Sequence, residues 1–210
     1  MSREAQSRTG RSLLRWVLAA EHGMTGPVGV ERDAFGKPFV AGMPWFHFSL
    51  SHSGDLVALA VDVLPVGVDI QRIGAANPDV GKRYFHPEEW ASVAERAGAD
   101  RTYRFHALWA LKESYTKHTG QGLRTRLDSF VVQDGKSGDS RESGEGSDFT
   151  ARTARGEPLP VRLLLRRQGA SHVLAVCTDA AAPREDPLWV PHEVPGGALT
   201  PPESQEPQGP

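Results

Sequence analysis

The sequence predicts an α+β fold of two similar α/β halves related by a pseudo-twofold, with the active site at the interface between them. Three observations predict it. Two stretches with apolar residues at helical spacing, RSLLRWVLAAEHG and FHALWALKESYTKHTG, each end on a glycine. Each is followed by extended runs that include a strand of one type, VALAV in the first half and VLAV in the second. Finally, Asp69 falls in one half and Glu113 in the other, so an internal duplication brings the two carboxylates together in the cleft between halves, the natural place for a ligand. A chain of 210 residues has room for one ordinary domain or two small halves sharing a core. The halves are expected over residues 1–78 and 79–180, with 181–210 as a tail.

Ser2 to His22 begins polar and becomes an apolar stripe of Leu13, Leu14, Val17 and Leu18, closed by Gly23, which predicts a helix. Arg8, Arg11 and Arg15 interleave with the stripe. Such arginines face solvent over buried stems, or, in the case of Arg11, point toward a phosphate. After FGKPFV, the run WFHFSLSHSG alternates Phe46, Phe48 and Leu50 with His47, Ser49 and Ser51, the period of a strand with one buried face. Its end carries Ser51, His52 and Ser53. There backbone N–H groups and an imidazole can meet an anion, although a histidine in such a place is also an ordinary surface residue. LVALAVD and VGVDIQ follow, and the three runs read as an antiparallel meander. Asp69 and Gln71, two apart, share the face opposite Val68 and Ile70. A carboxylate on so apolar a strand either reaches water at the strand end or needs a partner such as a cation, because burying it alone is costly.

Ile73 to Val80 reads as a loop. HPEEWASVAERAG predicts a short helix that opens on Pro87, carries Glu88 and Glu89 at its positive end and stops at Gly98. A longer helix is expected from Arg101 to His118, stopped by Gly120. On it Phe105, Trp109, Glu113 and Lys117 form one i, i+4 ridge, flanked by Leu108, Leu111 and Tyr115. Taken alone, Glu113 and Lys117 read as a solvated pair worth about 0.2–0.5 kcal/mol; the same ridge can also hold a charge pair at the mouth of a cleft. GQGLRTRLDSFVV leads into a strand, and residues 133–156 read as a mobile surface loop of Gly, Ser, Asp, Glu and Arg. LPVRLLLRR and SHVLAVCTD are strands. Beyond them the proline-rich end reads as disordered, apart from Leu188, Trp189 and Val190, which can dock on the surface.

With 24 basic against 26 acidic residues the formal charge is −2, which leaves no global field to attract nucleic acid. Any polyanion must be held by a local cluster. The single cysteine, Cys177, excludes an intrachain disulfide and a cysteine-built metal site, and its strand neighbours mark it as a buried thiol. No apolar run reaches the roughly 18 residues of a membrane span, and the N-terminus lacks a signal-peptide apolar region. A cytoplasmic protein with no membrane partner is expected.

GKP, FSLSHSG, VGVDI, FHPEEW and FHALWALKESYTKHTGQGL occur in this order from about Arg11 to Phe130. In order and spacing they closely resemble the 4′-phosphopantetheinyl transferases of the surfactin type, with GVDI and WALKES the most specific pieces. The resemblance implies a Mg2+-dependent enzyme that moves phosphopantetheine from coenzyme A to a serine hydroxyl of an apo acyl or peptidyl carrier protein, releasing adenosine 3′,5′-bisphosphate. It implies a monomer of two α/β halves. Asp69 and Glu113 then become metal ligands, with Gln71 at the third position and pyrophosphate oxygens and water completing the shell. Glu113, or a water it orients, becomes the base for the serine hydroxyl, and Lys117 a partner of the pyrophosphate. Arg11, Lys37 and His52, with Ser51 beside them, match positions that hold the phosphates of coenzyme A.

Two departures from the family pattern stand out. Many members carry an acid where this chain has Gln71, and a neutral amide lowers the charge of the metal site. Members also have a few dozen residues ahead of the first helix, with a strand and basic residues that touch coenzyme A. Either translation begins upstream here, or part of the nucleotide pocket is missing. These departures motivate the alternative of a degenerate relative that binds coenzyme A or a carrier protein without transfer. A different Mg2+-dependent phosphotransferase or hydrolase would need its own nucleophile, for which the sequence offers no motif.

Overall fold

The computed structural model describes residues 1–135 and 147–181. Along them run α1 (Arg3–His22), β1 (Val30–Arg32), β2 (Pro38–Val40), β3 (His47–Ser53), β4 (Leu56–Asp62), β5 (Val66–Arg72), α2 (Pro78–Tyr84), α3 (Pro87–Ala94), α4 (Gly98–Thr119), β6 (Phe130–Asp134), β7 (Ser147–Thr153), β8 (Val161–Gln168) and β9 (His172–Asp179). The fold is α+β, as expected.

The Ser2 hydroxyl caps α1 by accepting the Ala5 N–H, and Gly23 ends the helix in the left-handed region at φ 64°. Leu14 and Leu18 of α1 are buried with Val40, Met43, Phe46 and Phe48 in a small core against the β3–β4 hairpin. The larger core lies between α4 and a five-stranded antiparallel sheet of order β5-β9-β8-β7-β6. There Phe105, Leu108 and Leu111 of α4 meet Leu163, Val173, Ala175 and Cys177 of β8 and β9. Cys177 is the buried thiol that its neighbours predicted.

The meander expected over β3, β4 and β5 does not form. β5 leaves the hairpin and becomes an edge of the larger sheet, laddered to β9. The reason lies in the serines of β3. The hydroxyls of Ser49, Ser51 and Ser53 accept the backbone N–H groups of Val68 (3.0 Å), Ile70 (3.2 Å) and Arg72 (2.9 Å). Both residue numbers rise together, so β3 runs parallel to β5 and is joined to it by side chains instead of a backbone ladder. This also makes β3 buried on both faces, against the single face expected: Ser49 and Ser51 are as hidden as Phe46 and Phe48.

Three local differences have similar causes. Pro78, with Asn77 as its cap, starts α2 where a loop was expected. Gly98 does not stop α3, which ends at Ala94; it opens α4 at φ 53°. Ser147–Thr153 falls within the expected mobile loop but is strand β7, because Phe149 and Ala151 are buried in the main core. The middle of that loop, residues 136–146, and the tail from 182 onward, with Leu188, Trp189 and Val190, lie outside the described residues. No helix among the described residues is long and apolar enough to cross a membrane.

One glycine decides how close α4 comes to the sheet. A Cβ on Gly67 would stand 2.0 Å from the Ser114 carbonyl oxygen and 2.4 Å from the His118 nitrogen, both backbone atoms of α4. Only a residue without a side chain lets the last turns of α4 lie directly on β5.

Candidate active site

Asp69 sits in the middle of β5 with 4 % of its surface exposed, on the side where α4 passes. Its carboxylate gathers donors from three elements. Lys117 of α4 donates to Oδ1 at 2.7 Å, Ser51 of β3 donates to the same oxygen at 2.8 Å, and Gln71 of β5 donates to Oδ2 at 2.6 Å. The Lys117 ammonium also reaches the Val68 carbonyl at 3.0 Å. A buried carboxylate held this way answers the question its strand posed, since its charge is both paired and hydrogen-bonded.

Glu113 lies one turn before Lys117 on the same helix, but the two form no ion pair; Lys117 crosses to Asp69 instead. The Glu113 carboxylate is half-buried and makes no hydrogen bond or ion pair among the described residues. Burial pushes its pKa above the ordinary glutamate value, the Asp69 charge pushes it further, and Lys117 only partly offsets the two. The result is two carboxylates from β5 and α4, close enough to repel, one fully partnered and one with none.

The other residues singled out in the sequence divide. Ser51 and Gln71 join Asp69, both as donors to its carboxylate. Lys37 does not join them. Its ammonium donates to the His118 carbonyl at 2.7 Å and more weakly to that of Val66 at 3.4 Å, and burial lowers its pKa against the opposing charge of Asp33. His52 and Arg11 are exposed and belong to the opposite side of the β3–β4 hairpin. There α1 makes its close approach, with Gly10 against Leu50 and Val57, and Val57 is the cross-strand partner of His52.

Sequence reasoning passed over a second charged centre. Lys112, fully buried, pairs with the equally hidden Glu89 of α3 at 2.8 Å, donates to the carbonyls of Leu127 (2.7 Å) and Phe130 (2.6 Å), and lies 4.1 Å from the Phe130 ring centroid. Glu89 in turn accepts the N–H groups of His86 and Val132. Two signals were available: Lys112 follows the core residue Leu108 by one turn, and Glu89 follows His86 by the three residues of a capping box.

The model of the 4′-phosphopantetheinyl transferase superfamily matches residues 65–177, which span β5, α4 and β9 and so contain Asp69, Glu113 and Lys117. The chain belongs to the 4′-phosphopantetheinyl transferase superfamily. The resemblance carried by its motifs is borne out. It is 34 % identical over 131 residues to the 4′-phosphopantetheinyl transferase Sfp of Bacillus subtilis strain 168, covering 60 % of this chain and 58 % of that one. It is 41 % identical over 104 residues to the 4′-phosphopantetheinyl transferase psf-1 of Bacillus pumilus, covering 49 % and 44 %. It is 33 % identical over 135 residues to the human L-aminoadipate-semialdehyde dehydrogenase-phosphopantetheinyl transferase, covering 56 % and 43 %. The chain spans about half the length of the curated relatives it matches.

For a member of the phosphopantetheinyl transferase superfamily, the fit of a hard divalent cation can be judged from the donors themselves. No group of three or more His, Cys, Asp and Glu side chains gathers among the described residues. What the site offers is a pair of carboxylates, one of them unpartnered and disfavoured as an anion, beside a neutral amide. All of its candidate ligand atoms are oxygens, and two carboxylates suit a cation that keeps most of its water or takes phosphate oxygens. The donor atoms are of the kind that Mg2+ takes.

Proposed function

We propose that this chain transfers the 4′-phosphopantetheine group of coenzyme A to a serine hydroxyl of an apo acyl or peptidyl carrier protein, a holo-acyl-carrier-protein synthase activity. Carriers of polyketide, peptide or siderophore assembly are the intended acceptors. The observation that carries this reading is the unpartnered Glu113 carboxylate facing the buried, triply held Asp69 in a chain of this superfamily. In the reaction the serine Oγ bonds to the β-phosphorus of coenzyme A, the phosphoanhydride bond to the α-phosphate breaks, and adenosine 3′,5′-bisphosphate leaves. The serine proton passes to Glu113 or to a water that it orients.

Asp69 and Glu113 hold the Mg2+, with the carbonyl oxygen of Gln71 available beside them while its amide donates to Asp69. When bound, the ion supplies positive charge to the non-bridging pyrophosphate oxygens. Lys117 fixes Asp69 and adds its own charge to the same region. Arg11, Lys37 and His52 are assigned to the phosphates of coenzyme A. For Lys37 this requires its ammonium to exchange the His118 carbonyl for a phosphate oxygen.

The active site then lies between two halves, 1–78 and 79–180, related by a pseudo-twofold. In support, Asp69 comes from the segment before 78 and Glu113 and Lys117 from the segment after it. A monomer acting in the cytoplasm completes the proposal. Intact-mass analysis of an apo carrier protein incubated with the chain, coenzyme A and Mg2+ tests it. A phosphopantetheine-sized gain that disappears with EDTA is expected. No gain on several carriers, with coenzyme A still bound, would reject transfer.

A further inference from the structure

The three serines of β3 make the same bond to β5, but only one of them does something more. Ser49, Ser51 and Ser53 each accept one backbone N–H, and Ser51 alone also contacts a carboxylate, Asp69 Oδ1 at 2.8 Å. The direction of that contact is fixed by valence. A hydroxyl has one hydrogen to give, the Ile70 N–H can only donate, and an ionised carboxylate can only accept. The Ser51 proton therefore goes to Asp69 and its lone pair to Ile70. With 7 % of its surface exposed and both functions engaged inside the protein, Ser51 has nothing left for a phosphate.

We propose that Ser51 is a positioning residue for Asp69, not a contact to coenzyme A. This rests on the reading of Asp69 and Glu113 as a metal pair. Ser51 and Lys117 approach the same oxygen from β3 and α4, while Gln71 takes the other oxygen. Together they leave the carboxylate one orientation. Outer hydrogen bonds of this kind orient metal ligands, and their loss typically lowers metal affinity about 10–100-fold.

Ser49 provides the control. It is equally buried, makes the same bond to a β5 N–H, and has no bond to Asp69. Ser49→Ala and Ser51→Ala thus inflict the same damage on the seam, and only the second frees Asp69. The experiment is Mn2+ binding to the full chain, followed by electron paramagnetic resonance, for wild type, Ser49→Ala, Ser51→Ala and Asp69→Asn. Coenzyme A affinity without divalent ions is measured in parallel. The expected result is a similar drop in Tm for both serine variants, Mn2+ affinity about 10–100-fold weaker in Ser51→Ala alone, and unchanged coenzyme A affinity. Equal Mn2+ affinity in the two serine variants, or weakened coenzyme A binding in Ser51→Ala, overturns the positioning role. Wild type that binds no Mn2+, or Asp69→Asn that binds it as well as wild type, overturns the metal-pair reading itself. If Ser51→Ala does not fold, Ser51→Cys, close in size but a weak donor, gives the same readout.

Discussion

Lys117 and Asp69 are joined at 2.7 Å across the boundary between α4 and β5, while Glu113, the helical neighbour of Lys117, has no hydrogen-bond or ion-pair partner among the described residues. The arrangement keeps one carboxylate satisfied and leaves the other raised in energy. That asymmetry gives the site its expected chemistry and its expected responses to mutation.

Asp69→Asn keeps the shape of the side chain but removes its charge from the Lys117 ammonium and from any cation. Carrier-protein transfer is expected to fall by at least about 100-fold, the loss typical when one stabilising group is removed from an active site. Intact-mass time courses check it, and near-wild-type turnover would remove Asp69 from the metal assignment.

Glu113→Gln should separate stability from activity. The folded-state pKa of Glu113 is raised, so its contribution favours the folded state below the unfolded value of about 4.5 and is lost as pH rises through the folded value. Replacing it with a neutral amide is expected to raise the Tm of the metal-free chain at neutral pH, with the gain vanishing under acid conditions, and to lose most of the transfer rate. A lower Tm at neutral pH would mean that the carboxylate has a partner in solution.

Gln71→Glu replaces a donor to Asp69 with a third negative charge. Metal-free protein should lose stability, and Mg2+ should bind more tightly and restore it. Thermal melts across a Mg2+ titration read both effects; unchanged Mg2+ dependence would place position 71 away from the ion.

Gly67→Ala forces a methyl group into the backbone of α4. The expected cost is at least about 1–3 kcal/mol, accompanied by loss of transfer, because moving α4 outward parts Lys117 from Asp69. Denaturant unfolding and activity, measured together, test whether the two losses coincide.

Lys112→Ala leaves Glu89 buried without its counter-charge. A loss of about 3–5 kcal/mol is expected, visible as a lower denaturation midpoint. A change below about 1 kcal/mol would show that the hydrogen bonds from His86 and Val132 satisfy Glu89 unaided.

Much of the fold could be read from the chain because local signals agreed with it. The stripe of Leu14 and Leu18 between Ser2 and Gly23 marked α1, and proline, glycine and capping residues marked most helix ends. The exceptions were contests that local signals lose. Gly98 looks the same to a sequence reader as a stop or a start. Ser147–Thr153 is polar enough to pass for a loop, and Phe149 becomes informative only when β8 lies beside it. Among the candidate site residues, Asp69, Glu113 and Lys117 were legible from GVDI and WALKES, and Ser51 and Gln71 from their neighbourhood. Arg11, Lys37 and His52 were equally prominent as basic residues, yet a sequence does not say which side of a hairpin each one occupies.

By itself the sequence determined most of the helices and strands and the superfamily, and it marked the candidate site residues, because periodicity and motif spacing are properties of the chain alone. The tertiary structure decided the pairings. β5 ladders with β9 and not β4, Lys117 pairs with Asp69 and not Glu113, and Ser51 serves a carboxylate within the protein. Each outcome is a competition among partners far apart in sequence. It is settled by which backbone can approach which, and here Gly67 and the serines of β3 set those distances.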